Sequence, residues 1–426
     1  MIGTHSVTVS LPVEGADPVD VSCLVDTVTI HHGRDDTDSQ PEASSCSLDM
    51  SLDTDTTVLP PELEVGSILR VTTTIPDVVT STRFAGRITD LDQEWESAGE
   101  DTPDRVVVKV IATSALAELG RRTVGDAPWP QQLDGARIAQ IMSVAGITLD
   151  PLYSDPGTVQ ILPRDVDSQP ALEVAQSTAE SASGVLWDTR DGEIRYADAN
   201  HRRGTVASLS LDACDVLVTP TWRRTTEGLV NAVSIGYGVA PDGGDQPRYI
   251  AQRDDSIARY GRYGLSTTTE LAAAADATAL GQMLLVRNRE PVWIMSDLPV
   301  DVWGLDVDDT VALLDLELHD LVNLTGLPAA GTAPTSTSLW VEGWSESLAW
   351  LSHALILTVS GYCRTSPPPR WNDVHPDLTW DAMGETTWDD ATCFGPQPSA
   401  GRWDDVAASL RWDQVPVSTT WDTYTT

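Results

Sequence analysis

Apolar and polar residues alternate with a period of two along most of the first 112 positions. An extended chain sends successive side chains to opposite faces, so His5–Leu11, Cys23–Ile30, Ser45–Leu52, Ile68–Thr74, Arg83–Leu91 and Arg105–Ile111 read as strands. Turn-forming runs such as GRDDTDSQPEASS and PDVVTST punctuate them. Six short strands at this spacing predict a small β-barrel or sandwich over residues 1–112.

The period then lengthens. Thr113–Gly120 predicts a short helix with Ser114 as its N-cap. Asp134–Ala145 places Ile138, Ile141, Met142 and Ala145 on one stripe and stops at Gly146. Gln169–Ser183 is a third helix, with Pro170 in its first turn and Leu172, Val174, Ala175 and Ala179 facing inward. In VLWDTRDGEIRYAD, Asp191-Gly192 supplies the positive-φ turn between two short strands. These elements form an α+β domain over 113–212. Strands return at Val216–Trp222 and Leu229–Tyr237, and an Ala-rich helix spans Thr268–Asn288, with Leu271, Ala275, Leu280, Met283 and Leu284 on its buried stripe. Val292–Met295, Thr310–Leu316, Ser338–Glu342 and Ala354–Gly361 complete a second β region, 213–365.

Two of its segments echo the first region. LEVGSILRV (Leu63–Val71) matches LDVDDTVAL (Leu305–Leu313) in apolar spacing, and RFAGRITDL (Arg83–Leu91) matches WVEGWSESL (Trp340–Leu348), each with Gly fourth. Duplication of one β unit and chance similarity of two both account for this; duplication gives two small β-barrels flanking the α+β domain. Beyond the Ser366-Pro367-Pro368-Pro369 linker the pattern changes again. Trp371, Trp380, Trp388, Trp403, Trp412 and Trp421 recur at spacings of 9, 8, 15, 9 and 9, the last five each followed by Asp. Few other large apolar residues accompany them, so these indoles need a surface to cover them. The expectation for 366–426 is an extended arm with Trp380, Trp388, Trp403, Trp412 and Trp421 as anchors on a partner subunit. A self-packed repeat and a mobile tail are the alternatives.

Charge narrows the partners. With 26 basic and 64 acidic residues the chain carries −38, which disfavours nucleic acid and anionic membranes because phosphate binding depends on Lys and Arg. No apolar run is long enough to span a bilayer, and the N-terminus has no secretory pattern, so folding in a cytoplasm is expected. Cys23, Cys46, Cys214, Cys363 and Cys393 have neither disulfide-framework nor zinc spacing.

Candidate chemistry is sparse. Gly343-Trp344-Ser345-Glu346-Ser347 lacks the second Gly of a serine elbow. There is no HExxH, no phosphate loop and no dinucleotide fingerprint. His31 and His32 point to opposite faces of a strand end. Asp90, Asp92, Glu94 and Glu96 alternate along one strand face as a possible Ca²⁺ set, and Asp35, Asp36 and Asp38 crowd a loop, but a solvated, self-repelling face explains each. A glycosidase carboxylate pair is defined by a spatial distance that sequence does not give. No catalytic, cofactor-binding or metal residue is assigned, and no cofactor is expected.

The runs IHHGRDDTDSQPEASSCSLDMSL, RFAGRITDLDQEWE and ALAELGRR, followed by DVDSQPALEVAQSTAESASGVLWDTRDGEIRYAD, LVNAVSIGYG and WVEGWSESLAWLSHALILTVSGY, resemble minor tail proteins of actinobacteriophages. The T-W-D repeats are also familiar there. The family is similar in architecture to phage baseplate hubs, in which two related barrels flank α+β domains. The resemblance implies a non-enzymatic homotrimer at the virion tail tip, assembled in the host cytoplasm. It would join the tail tube or distal tail protein to the tape-measure protein and other minor tail proteins, and would line the DNA exit channel. A receptor-binding tip protein that contacts the host envelope is the alternative, and a cell-wall enzyme a third reading.

Overall fold

The computed structural model describes residues 3–361 apart from 13–15, 36–38, 54–58, 97–104, 202–206, 217–220, 241–243, 296, 328–334 and 351. The Trp-Asp series therefore lies outside the described residues.

The first region is β1 (Thr4–Ser10), β2 (Val25–Gly33), β3 (Ser45–Asp53), β4 (Ile68–Ile75), β5 (Val79–Glu96) and β6 (Arg105–Thr113). All six expected strands are present, for the reason the alternation gave: Val28, Ile30, Leu48, Met50, Leu69, Val71, Val108 and Val110 point into one core. α1 (Ala115–Gly120), α2 (Asp134–Ala145) and α3 (Ala171–Ser181) follow, then the hairpin β7 (Val185–Asp188) and β8 (Ile194–Ala197). Gly146 ends α2 with φ +68, and Gly192 turns the hairpin with φ +83, the left-handed region that glycine enters without a Cβ clash. Ser114 holds the N-cap position of α1, but its side chain makes no capping bond.

After β9 (Leu209–Asp212) the chain builds β10 (Ala232–Gly236), β11 (Arg248–Gln252), α4 (Asp254–Tyr260), β12 (Gly264–Thr268) and α5 (Ala274–Arg287). β10 is the middle strand of a three-stranded sheet, antiparallel to β11 and parallel to β12. The last stretch is β13 (Asp297–Asp301), α6 (Val307–Asp315), β14 (Leu321–Thr325), β15 (Thr337–Ala349) and β16 (Ser352–Gly361).

Two expectations need correction. Thr310–Leu316 is helical, not a strand. The Asp306 carboxylate caps the Asp309 N–H at 2.9 Å, Asp308 and Asp309 complement the helix N-terminus, and Thr310, Leu313 and Leu314 share the buried stripe. The first half of the echo falls with it, because Leu305–Leu313 is largely helix where Ile68–Ile75 is strand. The long helix also starts later than Thr268, which ends β12.

The second half of the echo survives in part. RFAGRITDL and WVEGWSESL lie in the long strands β5 and β15. Their glycines both sit where backbones crowd: a Cβ on Gly86 would stand 2.5 Å from the Thr113 carbonyl oxygen, and one on Gly343 would stand 2.6 Å from that of His32.

The chain is mainly β with a few helices. The two β regions share one 12-stranded sheet in the order β9-β14-β15-β2-β3-β6-β5-β4-β1, with Val19–Asp20 beyond β1 and β13 reached through β16. Among the described residues this order does not close into a barrel. The joint is β2 against β15, antiparallel from Gly33↔Gly343 to Thr27↔Ala349.

Candidate functional site

The richest chemistry lies at that joint. β2 and β15 turn Arg34, His32, Glu342, Trp344 and Glu346 to one buried face, because residues two apart share a face of a strand. Arg83 of β5 enters from below. Its Nε and Nη2 donate to the two oxygens of Glu346 at 2.8 and 3.0 Å, and Nη1 donates to the Leu314 carbonyl at 2.6 Å. Both side chains are essentially without solvent. His353 of β16 lies 2.6 Å from the same carboxylate, and His5 of β1 packs edge-on to His353 with ring centroids 5.1 Å apart. Burial opposes ionisation of Glu346, but Arg83 and His353 outweigh it and hold the carboxyl well below the usual range. Burial, then the neighbouring His353, lowers His5 to about 4.

A second pair lies four residues away along β15. Arg34 Nε and Nη2 donate to Glu342 Oε2 at 3.0 and 2.6 Å, and the Ser360 hydroxyl donates to Oε1 at 2.5 Å. Both guanidinium donors converge on one carboxylate oxygen, and Ser360 takes up the other, so the contact is oriented at both oxygens.

The third element is a chain of hydrogen bonds from Asp188 in β7 through Ser44 to His32. Ser44 Oγ is 2.5 Å from Asp188 Oδ1 and 2.5 Å from His32 Nδ1. The Ser44 N–H donates to Asp188 Oδ2 at 3.1 Å, and His32 Nε2 donates to the Arg83 carbonyl at 3.0 Å. One hydroxyl proton cannot serve two acceptors, so this chain needs one further proton shared between Asp188 and His32. Burial raises Asp188 to about 7 against the opposing Ser44 bonds, and burial lowers His32 to about 4. Below about pH 7 the proton therefore sits on Asp188: the acid donates to Ser44, Ser44 donates to a neutral His32, and His32 donates to the Arg83 carbonyl. Serine, histidine and aspartate meet here in the wrong order for nucleophilic catalysis, which needs the imidazole between the other two. Ser44 is also buried.

The loop after β2 completes the joint. Gln40 donates to the Gly184 carbonyl at 3.0 Å and accepts from the Leu186 N–H at 3.2 Å, while Gln176 donates to the Pro41 carbonyl at 3.2 Å. The turn-rich run that separates β2 from β3 thus clasps the α+β elements. Beyond it, Arg190 donates to Glu317 at 3.2 Å. Burial and the nearby Arg83 lower the Arg190 pKa.

Other sequence candidates are placed apart. Ser345, the central residue of the elbow-like string, sits mid-strand in β15 rather than on a strand-to-helix turn. Asp90, Asp92 and Glu94 are exposed, and Asp92 lies opposite Lys109. Among the described residues no three His, Cys, Asp or Glu are grouped to hold a metal ion. No helix there is long and apolar enough to cross a membrane. Asp36 and Asp38, like Trp380, Trp388, Trp403, Trp412 and Trp421, lie outside the described residues. The members of the buried network that sequence reading missed include Arg34, Arg83, Ser44, Asp188, Arg190, Glu342 and His353, the partner of Glu346. The one available signal was charge at inward positions of alternating strands, as in RFAG and WVEGWSE.

The fold has solved counterparts. The 43 kDa tail protein of prophage MuSo2 from Shewanella oneidensis matches with a TM-score of 0.59 at 13% identity, covering 84% of this chain and 98% of that one. A tail protein from Neisseria meningitidis MC58 gives 0.57 at 11% identity, over 84% and 97%. Prophage tail protein gp18 from Listeria monocytogenes EGD-e gives 0.53 at 8% identity, over 83% and 94%. No protein-family model matches the chain, and no curated protein does. At these identities the likeness is one of fold.

Proposed function

We propose that this chain is a structural, non-enzymatic component of a bacteriophage tail: the hub at the tail tip, working as a homotrimer between the tail tube and the tip proteins and lining the channel through which DNA leaves. The observation that carries the reading is the shared fold, which extends over 94–98% of the three tail proteins and 83–84% of this chain. The buried network agrees with it. Arg34 with Glu342 and Arg83 with Glu346 tie distant segments together at the joint and are committed to structural contacts. The net charge of −38 suits a channel wall that must not retain passing phosphates. Residues 366–426 serve as linker and arm, with Trp380, Trp388, Trp403, Trp412 and Trp421 docked on neighbouring tip proteins.

Electron microscopy of the intact tail tip tests this directly. Three copies should surround the tail axis below the tube. A different location, or release of soluble sugars or peptides from host envelope by the purified chain, would overturn it.

A further inference from the structure

The charge of the chain is not evenly spread. Residues 222–290 contain eight arginines (Arg223, Arg224, Arg248, Arg253, Arg259, Arg262, Arg287, Arg289) and eight carboxylates, so this stretch is neutral and the full −38 resides on the remainder. Four of the eight tyrosines also lie here, at 237, 249, 260 and 263. Arg and Tyr are the residue types that protein interfaces concentrate.

The stretch is built on the β11-β10-β12 sheet, and α5 covers only one side of it. Ile235 and Tyr249 face the helix, so that a Cβ on Gly281 would stand 2.5 Å from the Tyr249 ring. The other side is open in part: Ala232 and Gly236 of β10 are covered, while Gln252, Ser266 and Thr268 on the flanking strands are exposed. Register puts Arg248 beside Gly236 and Thr268, Ile250 beside Ser234 and Ser266, and Gln252 beside Ala232 and Gly264. Ile250 is 71% exposed on the edge strand β11. The Arg248 guanidinium lies across the sheet, donating to Ser234 Oγ and the Ser234 carbonyl at 2.7 and 2.8 Å and to Ser266 Oγ and the Thr267 carbonyl at 2.8 and 3.0 Å. Arg262 donates to Gln252 at 2.8 Å at one end of the face. The result is a shallow surface with Arg248 lying across Ser234 and Ser266, Ile250 beside them on the edge strand and Arg262 at one end.

From this we infer that the open face of the β11-β10-β12 sheet docks on the acidic body of a second copy of this chain. Charge decides the occupant: a neutral, arginine-bearing face on an otherwise strongly acidic chain is attracted to the acidic part of its neighbour, while the acidic bodies repel one another and exclude other pairings. Nucleic acid is the less favoured occupant, because eight carboxylates accompany the eight arginines and leave no sustained positive field. The inference deepens the trimeric reading by naming its contact surface.

The test uses the full-length chain, with native mass spectrometry and sedimentation velocity for stoichiometry and circular dichroism for folding. Arg248→Glu with Arg262→Glu should weaken self-association at least about ten-fold. Because Arg248 also braces the sheet, Ile250→Glu serves as a second variant at a solvent-facing position and should weaken association comparably with an unchanged spectrum. Association of the wild type should also fall between 50 and 500 mM salt. Variants that assemble like wild type overturn the interface and leave the hub reading standing. A wild-type chain that stays monomeric in solution overturns the interface too, and electron microscopy of the tail tip decides the hub reading separately. Tight binding of a DNA duplex that both variants abolish would assign the face to nucleic acid instead.

Discussion

Replacing Glu346 by Gln isolates the largest electrostatic commitment at the joint. The carboxylate accepts from Arg83 through both oxygens and from His353 through one, with both ion-pair side chains essentially without solvent. Glutamine retains one acceptor. Whichever way its amide is turned, an NH₂ group then faces an Arg83 or His353 donor, and the guanidinium keeps its charge with no counter-ion. Breaking a buried pair in this way costs about 3–5 kcal/mol, a large part of the roughly 5–15 kcal/mol that holds a folded domain together. Urea unfolding followed by tryptophan fluorescence reports the loss, since Trp344 packs 4.9 Å from His32 in the same network. The pH dependence has a definite sign. Glu346 is depressed in the fold, so its contribution is present above the ordinary value of about 4.5 and is lost on acidification below it. The gap between wild type and Glu346→Gln should therefore be full at pH 7 and shrink below pH 4. The double variant Arg83→Met with Glu346→Leu should recover most of the loss, because no uncompensated charge remains. A single-variant loss under about 1 kcal/mol, the worth of an exposed pair, would refute the reasoning.

Asp188→Asn mimics the neutral acid, so it should match wild type at pH 4 and below. Asp188 is raised to about 7, so its contribution is complete below the unfolded value of about 4 and is lost progressively as pH rises through 7; the variant should lead by roughly 4 kcal/mol at pH 8, about three pH units at about 1.36 kcal/mol each. A variant weaker than wild type at every pH would place the proton on His32 instead. Gly33→Ala should cost about 2–5 kcal/mol by thermal unfolding, since φ is +83 and the new Cβ would stand 2.5 Å from the Glu342 carbonyl oxygen; a neutral result would show that β2 and β15 can move apart. Truncation after Pro369 should leave the unfolding midpoint unchanged and reduce incorporation into tail tips, and unfolding of the truncated chain would make 370–426 part of a core.

Much of the β architecture was legible because period-two alternation reports directly on which side chains are buried. The strands of residues 4–113 and the helix Asp134–Ala145 with its Gly146 stop follow from spacing and turn chemistry. Thr310–Leu316 failed because a short apolar run has no clear period; the Asp306 cap, three residues before Asp309, was the overlooked signal. The small sheet containing β11, α4 and β12 was missed where polar and glycine-rich residues mask strand propensity, as in ARYGRYGLS. The joint itself was illegible for another reason. Sequence shows that Arg83 and Glu346 sit at inward strand positions, but not that residues 263 apart in the chain meet as one pair.

Those pairs do more for register than for stability. On β15 the buried face carries Glu342, Trp344, Glu346 and Leu348, while Gly343, Ser345, Ser347 and Ala349 alternate with them. A slip of one residue against β2 would exchange the two sets and leave Arg34 and Arg83 buried beside glycine and serine. A slip of two would keep the apolar pattern tolerable, yet it would bring Trp344 to the place of a carboxylate. An aliphatic ladder resists the first error and tolerates the second more easily, whereas two oriented ion pairs spaced four residues apart penalise both. The Gly33↔Gly343 contact adds a steric check, because close approach there admits no Cβ. That selectivity accounts for ion pairs standing at inward positions where hydrophobic residues would pack as well.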